Sequence, residues 1–197
     1  MTPQPNATPA WYPTLDLATD RDGSLKRAAD ACAKMVADMR AGATPYWLTL
    51  TGAQGCGKTM LAFQVFDQAR TINPGRASIW IGERRRPRCY WYTEPDFADA
   101  IRTDTRLPEY LADDYLVLID DLGTARERFE QVADALYRLA NARLGKWTLW
   151  TSNLTHAEIA DKIDQRLASR LIRDANTGVR ITAPDYALRN RKSKEAA

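Results

Sequence analysis

The chain has 197 residues, enough for one domain with a buried core and too few for two of ordinary size. Its composition is 45% hydrophobic and 27% charged with a net charge of +3, which permits nucleic-acid binding without demanding it. Apolar runs fall well short of the roughly eighteen residues that span a bilayer, and three cysteines with a single histidine fit no disulfide framework, zinc pattern or His cluster.

Residues 1–20 are rich in proline and read as an extended lead-in. The start, Met1-Thr2-Pro3-Gln4-Pro5, has neither a basic region nor an apolar one of the kind that exports a chain, so a cytoplasmic protein with no membrane partner is expected. Ser24 is placed as a helix cap, with Leu25, Ala28, Ala29, Cys32, Met35, Val36 and Met39 at helical spacing and Gly42 as the stop. Tyr46 to Thr51 reads as a strand that runs into a Gly-rich turn. A helix follows, with Leu61, Ala62, Val65, Phe66 and Ala69 on one face. Asn73-Pro74-Gly75 marks a turn. Ala77 to Ile81 and Cys89 to Tyr92 read as strand pieces around a polar loop holding Arg84, Arg85, Arg86 and Arg88.

Thr93 with Asp96 suits the cap of a helix over Phe97 to Arg102. Leu116 to Ile119 is apolar throughout, as a strand buried on both faces would be. Phe129, Val132, Ala133, Leu136, Leu139 and Ala140 mark an amphipathic helix, and Lys146 to Thr151 a strand. Thr155 and Glu158 form a capping box, and a helix near Gln165 to Ile172 and a strand near Val179 to Ile181 close the pattern. Alternating strands and helices predict an α/β fold with a mainly parallel sheet between helices.

The turn after the first strand reads Gly52-Ala53-Gln54-Gly55-Cys56-Gly57-Lys58-Thr59, a complete G-x-x-x-x-G-K-[ST]. Its glycines let backbone N–H groups converge on phosphate oxygens, and the helix that starts here, running through Met60, adds its N-terminal dipole. Lys58 would reach the outer phosphates, and the Thr59 hydroxyl would ligate Mg²⁺. The cofactors expected are therefore ATP and Mg²⁺. Cys56 is either a small filler or, at a helix start that favours the thiolate, an oxidation-sensitive position.

Asp120 and Asp121 follow the apolar strand, where the ligand edge of a parallel sheet lies. Asp120 would hold the metal and Asp121 would orient an attacking water. The same pair would also suit loop acids at the start of the next helix.

With these motifs, the chain resembles the AAA+ ATPases, and among them the DnaC-type helicase loaders and IstB-type transposition helpers. The phosphate loop, Leu116-Val117-Leu118-Ile119-Asp120-Asp121-Leu122-Gly123, Thr148-Leu149-Trp150-Thr151-Ser152-Asn153-Leu154-Thr155 and Arg166-Leu167-Ala168-Ser169-Arg170-Leu171-Ile172-Arg173 carry the resemblance, in the family's order. It covers about residues 15–190 and implies a P-loop NTPase of the AAA+ type over 21–187, with a basic tail at 188–197. It also implies that Asn153 is the sensor I amide and that Arg170 is an arginine finger acting on a neighbouring subunit's nucleotide. Arg166 and Arg173 lie on nearby helix faces, and Arg170 also suits a solvated helix arginine. Two departures from the family stand out. Only about fifty residues precede the loop, where the family carries a helicase-gripping domain, and Asp185-Tyr186 is followed by Ala187 rather than by the sensor II arginine, a role Arg189 could take.

Arg84, Arg85, Arg86 and Arg88 beside Tyr90, Trp91 and Tyr92 combine phosphate-binding and base-stacking groups, which suits single-stranded DNA; they equally suit a solvated loop next to a core strand. The expectation is an ATP-dependent oligomer acting on DNA with a replicative helicase, for a phage or plasmid, or with a transposase. A small-molecule P-loop kinase, with the arginine loop as its lid, and a slowly hydrolysing adaptor are the alternatives.

Overall fold

Five strands form one parallel sheet in the order β4 (Cys89–Thr93), β5 (Leu116–Leu122), β6 (Trp147–Ser152), β1 (Trp47–Gly52) and β7 (Thr177–Ile181). The computed structural model describes residues 11–17, 20–72, 78–81, 84–124, 130–173 and 175–186, and for 78–81 and 84–87 the backbone alone. Strand alternation sorts side chains to two cores, one on each face. Leu48, Leu50, Leu116, Leu118, Leu149 and Ile181 face α1 (Ser24–Ala41) and α2 (Lys58–Ala69). Trp47, Val117, Ile119 and Trp150 face the other way. There they meet Phe97 of α3 (Glu94–Thr103), Leu136 and Leu139 of α5 (Glu130–Ala142), Ile159 of α6 (His156–Lys162) and Leu167 of α7 (Gln165–Leu171). A single turn of helix, α4 (Leu107–Tyr110), and a 3₁₀ turn at Leu111–Asp113 lead into β5. The expected α/β sandwich with a parallel sheet is what the chain forms.

Two local expectations need correction. Ser24 is the first residue of α1, not its cap: Gly23 holds that place at φ 69°. The orphan N–H groups of the first turn instead reach carboxylates, Leu25 and Lys26 donating to Asp20 and Ser24 to Asp22 at 2.8–3.0 Å. The Ser24 hydroxyl is thereby left to accept the Thr182 N–H at 3.0 Å, tying α1 to the segment after β7. The arginine stretch is not a loop either. Arg84–Pro87 forms strand β3, antiparallel to β2 (Ser78–Ile81), in a separate two-stranded sheet. An all-polar strand carries no period-two signal, and pairing with β2 decides its state. The Asn73-Pro74-Gly75 turn, Phe129, Arg189 and the tail at 188–197 lie outside the described residues.

The lead-in, over its described part 11–17, has no helix or strand and packs Trp11, Tyr12 and Leu15 against the α1/α2 core. Thr14 exchanges two hydrogen bonds with the Gln64 amide of α2, at 2.8 and 3.2 Å. That contact brings Thr14, Leu15 and Asp16 to the edge of the site described next.

Candidate functional site

The C-terminal ends of β1, β5 and β6 converge on one cavity of about 930 Å³. Its wall includes Gln54 through Met60, Asp121 and Asn153, closed by Thr14, Leu15, Asp16 and Leu25 from the N-terminal side and Asp185 and Tyr186 from the C-terminal side. The loop leaves β1 through Gly52, at φ 152°, where a Cβ would stand 2.3 Å from the Ile181 carbonyl oxygen. At Gly55, with φ 73°, a Cβ would stand 2.2 Å from the Asp185 carboxylate carbon. Tyr186 donates its N–H to the Gly55 carbonyl at 2.9 Å. The glycines thus serve the turn and also the close seating of the segment after β7.

Lys58 is buried, and its ammonium is held by three oxygens: the carbonyls of Gly52 and Ala53 at 2.9 and 2.8 Å, and Asn153 Oδ1 at 2.8 Å. Asn153 itself is exposed to the cavity. The amide at the end of β6 therefore meets the loop lysine, two residues that stand 95 positions apart. Cys56 is 2% exposed, with Sγ 3.8 Å from Lys58 Nζ. Of the two readings of this cysteine, the packed filler is the one its burial favours.

Thr59 donates its hydroxyl to Asp120 Oδ1 at 3.1 Å, and Thr151 on β6 donates to the same oxygen at 2.5 Å. A hydroxyl and a carboxylate side by side at the start of α2 are donor types that a magnesium ion takes together with phosphate oxygens and water. Asp121 has φ 56° and lines the cavity. Burial and the neighbouring Asp120 push its carboxyl above its ordinary value, and Lys58 opposes them.

Arg170 lines a second concavity of about 340 Å³ together with Tyr137, Gln165, Arg166, Ser169 and Arg173, and none of these six lines the first. Arg166 is bound to Asp164 at 2.8 Å, and Arg173 donates to Ser169 at 3.3 Å. Arg170 faces Tyr137, donating to its hydroxyl at 3.3 Å with the guanidinium 5.3 Å from the ring centre. Arg88 lies elsewhere, 2.9 Å from the buried carboxylate of Asp114. That ion pair accounts for one of the four arginines expected at DNA. Tyr90 and Trp91 are exposed on edge strand β4, and Trp91 packs edge-on against Phe63 with ring centres 4.9 Å apart.

No protein-family model matches the sequence, and no curated protein matches it. Solved structures do. The DnaC helicase loader superposes with a TM-score of 0.64 at 18% identity, over 87% of this chain and 94% of that one. DnaI gives 0.65 at 20% identity, over 87% of each. The fold is that of the AAA+ ATPases. The replication initiator DnaA bound to AMPPCP and single-stranded DNA gives 0.57 at 20% identity, over 84% of this chain. The match spans 50% of that DnaA chain. The sequence alone pointed to the loop, the acid pair and Asn153, which the structure brings to one sheet edge. It did not signal Thr151, Glu94 or the lead-in wall at Thr14 to Asp16.

Proposed function

We propose that this chain binds ATP·Mg²⁺ on the Gly52–Thr59 loop and hydrolyses it as an oligomer assembled on single-stranded DNA, serving to load a replicative helicase. The observation that carries the reading is the meeting of Lys58 with Asn153 and of Thr59 with Asp120, from three different elements, at one cavity. Four side chains drawn to the same sheet edge match what phosphoryl transfer to water needs: a cation for the outer phosphates, a metal-binding hydroxyl and carboxylate, and a polar group beside the γ-phosphate. Thr59 and Asp120 would hold the Mg²⁺, which supplies charge neutralisation when bound. Asp121 orients the attacking water and Asn153 hydrogen-bonds it or the γ-phosphate. Lys58 exchanges its carbonyl partners for phosphate oxygens when nucleotide enters.

Arg170 acts on the neighbouring subunit. It lies in a concavity that shares no lining residue with its own nucleotide cavity, and its guanidinium faces the Tyr137 ring and hydroxyl. The likeness to the DnaC helicase loader, which extends over 94% of that chain, favours the loading role. The IstB-like helper reading would use the same site with a transposase in place of the helicase.

Mixing two inactive variants tests the oligomeric mechanism. Arg170→Ala keeps an intact nucleotide site, and Asp121→Ala keeps an intact Arg170. Each alone should bind nucleotide and hydrolyse little. Mixed, they form interfaces with both parts present and turnover should return. A mixture as inactive as its components would remove Arg170 from the neighbour's site.

A further inference from the structure

The carboxylate of Glu94 lies outside the nucleotide cavity, yet it is fully buried beside the strand end that carries Asp120 and Asp121. β5 pairs with β6 at Ile119↔Trp150 and next at Leu122↔Ser152, so β5 holds one residue more than its partner between these points. The extra residue makes a bulge, a device that re-aims a side chain at the cost of ladder pairing. Asp121 sits in that bulge at φ 56°, a left-handed conformation uncommon for a residue with a side chain and persisting where neighbours over-determine it.

The neighbours can be named. Thr151 Oγ1 accepts the Asp121 N–H at 2.9 Å, and Thr124 donates to the Asp121 carbonyl from its N–H and its hydroxyl at 3.2 and 2.8 Å. On the other side, β4 pairs with β5 only as far as Thr93↔Asp120, because the chain then turns into α3. Beyond that point no strand backbone from β4 continues the ladder. Glu94, the first residue of α3, fills the place: its Oε2 accepts the Gly123 N–H at 2.7 Å.

We propose that Glu94 is a positioning residue for Asp121, its buried carboxylate anchoring the Asp121–Gly123 turn so that the Asp121 side chain is presented to the cavity. The assignment rests on the reading of Asp121 as the water-orienting group. The Gly123 N–H needs an acceptor at this place, which makes Gln the conservative replacement and Met the replacement of similar length with no acceptor.

Steady-state turnover and fluorescent-ATP affinity of the full chain with single-stranded DNA test this for Glu94→Gln, Glu94→Met, Asp121→Ala and the Glu94→Met/Asp121→Ala double variant. Expected are a fall of about 10- to 100-fold in kcat for Glu94→Met with ATP affinity within about twofold of wild type. Glu94→Gln should stay close to wild type, and the double variant should be no slower than Asp121→Ala. Wild-type kcat in Glu94→Met overturns the proposal, as does a Glu94→Gln variant as slow as Glu94→Met. A Glu94→Met chain that loses ATP binding also overturns it, since Glu94 would then support the fold at large. If Asp121→Ala itself turns over normally, the reading of Asp121 fails and the role of Glu94 with it; if Asp121→Ala is inactive while Glu94→Met is not, only the proposal for Glu94 fails.

Discussion

Replacing Arg143 by Met should cost about 3–5 kcal/mol, because one substitution takes a charged donor from several buried acceptors at once. Arg143 follows α5 and is fully buried. Its guanidinium donates to the carbonyls of Leu111, Ala112 and Asp114 at 3.1, 3.3 and 2.5 Å, and to Tyr115 at 3.5 Å and to Trp147. Nε adds the Thr148 hydroxyl at 3.3 Å. Burial pushes its pKa down to about 10, so it remains a cation at neutral pH. Two acceptors keep a second donor when it is removed: Leu111 from the Asp114 N–H and Ala112 from Lys146 Nζ. Losing a charged hydrogen bond costs about 1.5–3 kcal/mol taken singly, and neighbouring losses do not add. That places the total near the stated range, a large share of the 5–15 kcal/mol typical of a domain. Urea unfolding followed by far-UV circular dichroism measures it. Lys in place of Arg should recover only part of the loss, because its point charge cannot span the same carbonyls. A cost below about 1 kcal/mol for Arg143→Met, the worth of one ordinary hydrogen bond, would refute this role of Arg143. Arg143 ties the starts of β5 and β6, the strands whose far ends carry Asp120 and Asn153, so its loss should lower stability before it alters nucleotide affinity.

Gly55→Ala should abolish nucleotide binding, since its Cβ would fall 2.2 Å from the Asp185 carboxylate carbon at φ 73°; adding Asp185→Ala should restore part of it by removing the clash, and equal loss in single and double variants would locate the fault in the backbone alone. The Thr155 N–H and hydroxyl and the Lys162 ammonium hold Glu158 down at about 2 from an ordinary 4.5. A depressed carboxyl stabilises the fold above its unfolded pKa, and that stability is lost as pH falls from 4.5 through about 2. Glu158→Gln should flatten this part of a stability-versus-pH curve, and an unchanged slope would refute the assignment.

Much of this was legible because the signals were local. The phosphate loop, the Thr155/Glu158 box and the Thr93 cap each lie within a few residues, and the structure forms both caps as read. Asp120 and Asn153 were legible because apolar strands end at them. What sequence did not disclose depends on distant partners. Glu94 reads as an ordinary acid in a helix's first turn, and its partner Gly123 lies 29 residues away. Arg143 reads as a surface charge after an amphipathic helix, while its acceptors come from the 3₁₀ turn and two strand starts. The arginine strand reads as a loop because its pairing with β2, rather than its side-chain pattern, makes it a strand.

The most direct test of the account is mass by light scattering with ADP, with a non-hydrolysable ATP analogue, and with the analogue plus single-stranded DNA. The account predicts a monomer with ADP and a growing oligomer with analogue and DNA together; a strict monomer under all three conditions would leave Arg170 with no neighbouring nucleotide to act on and would contradict it.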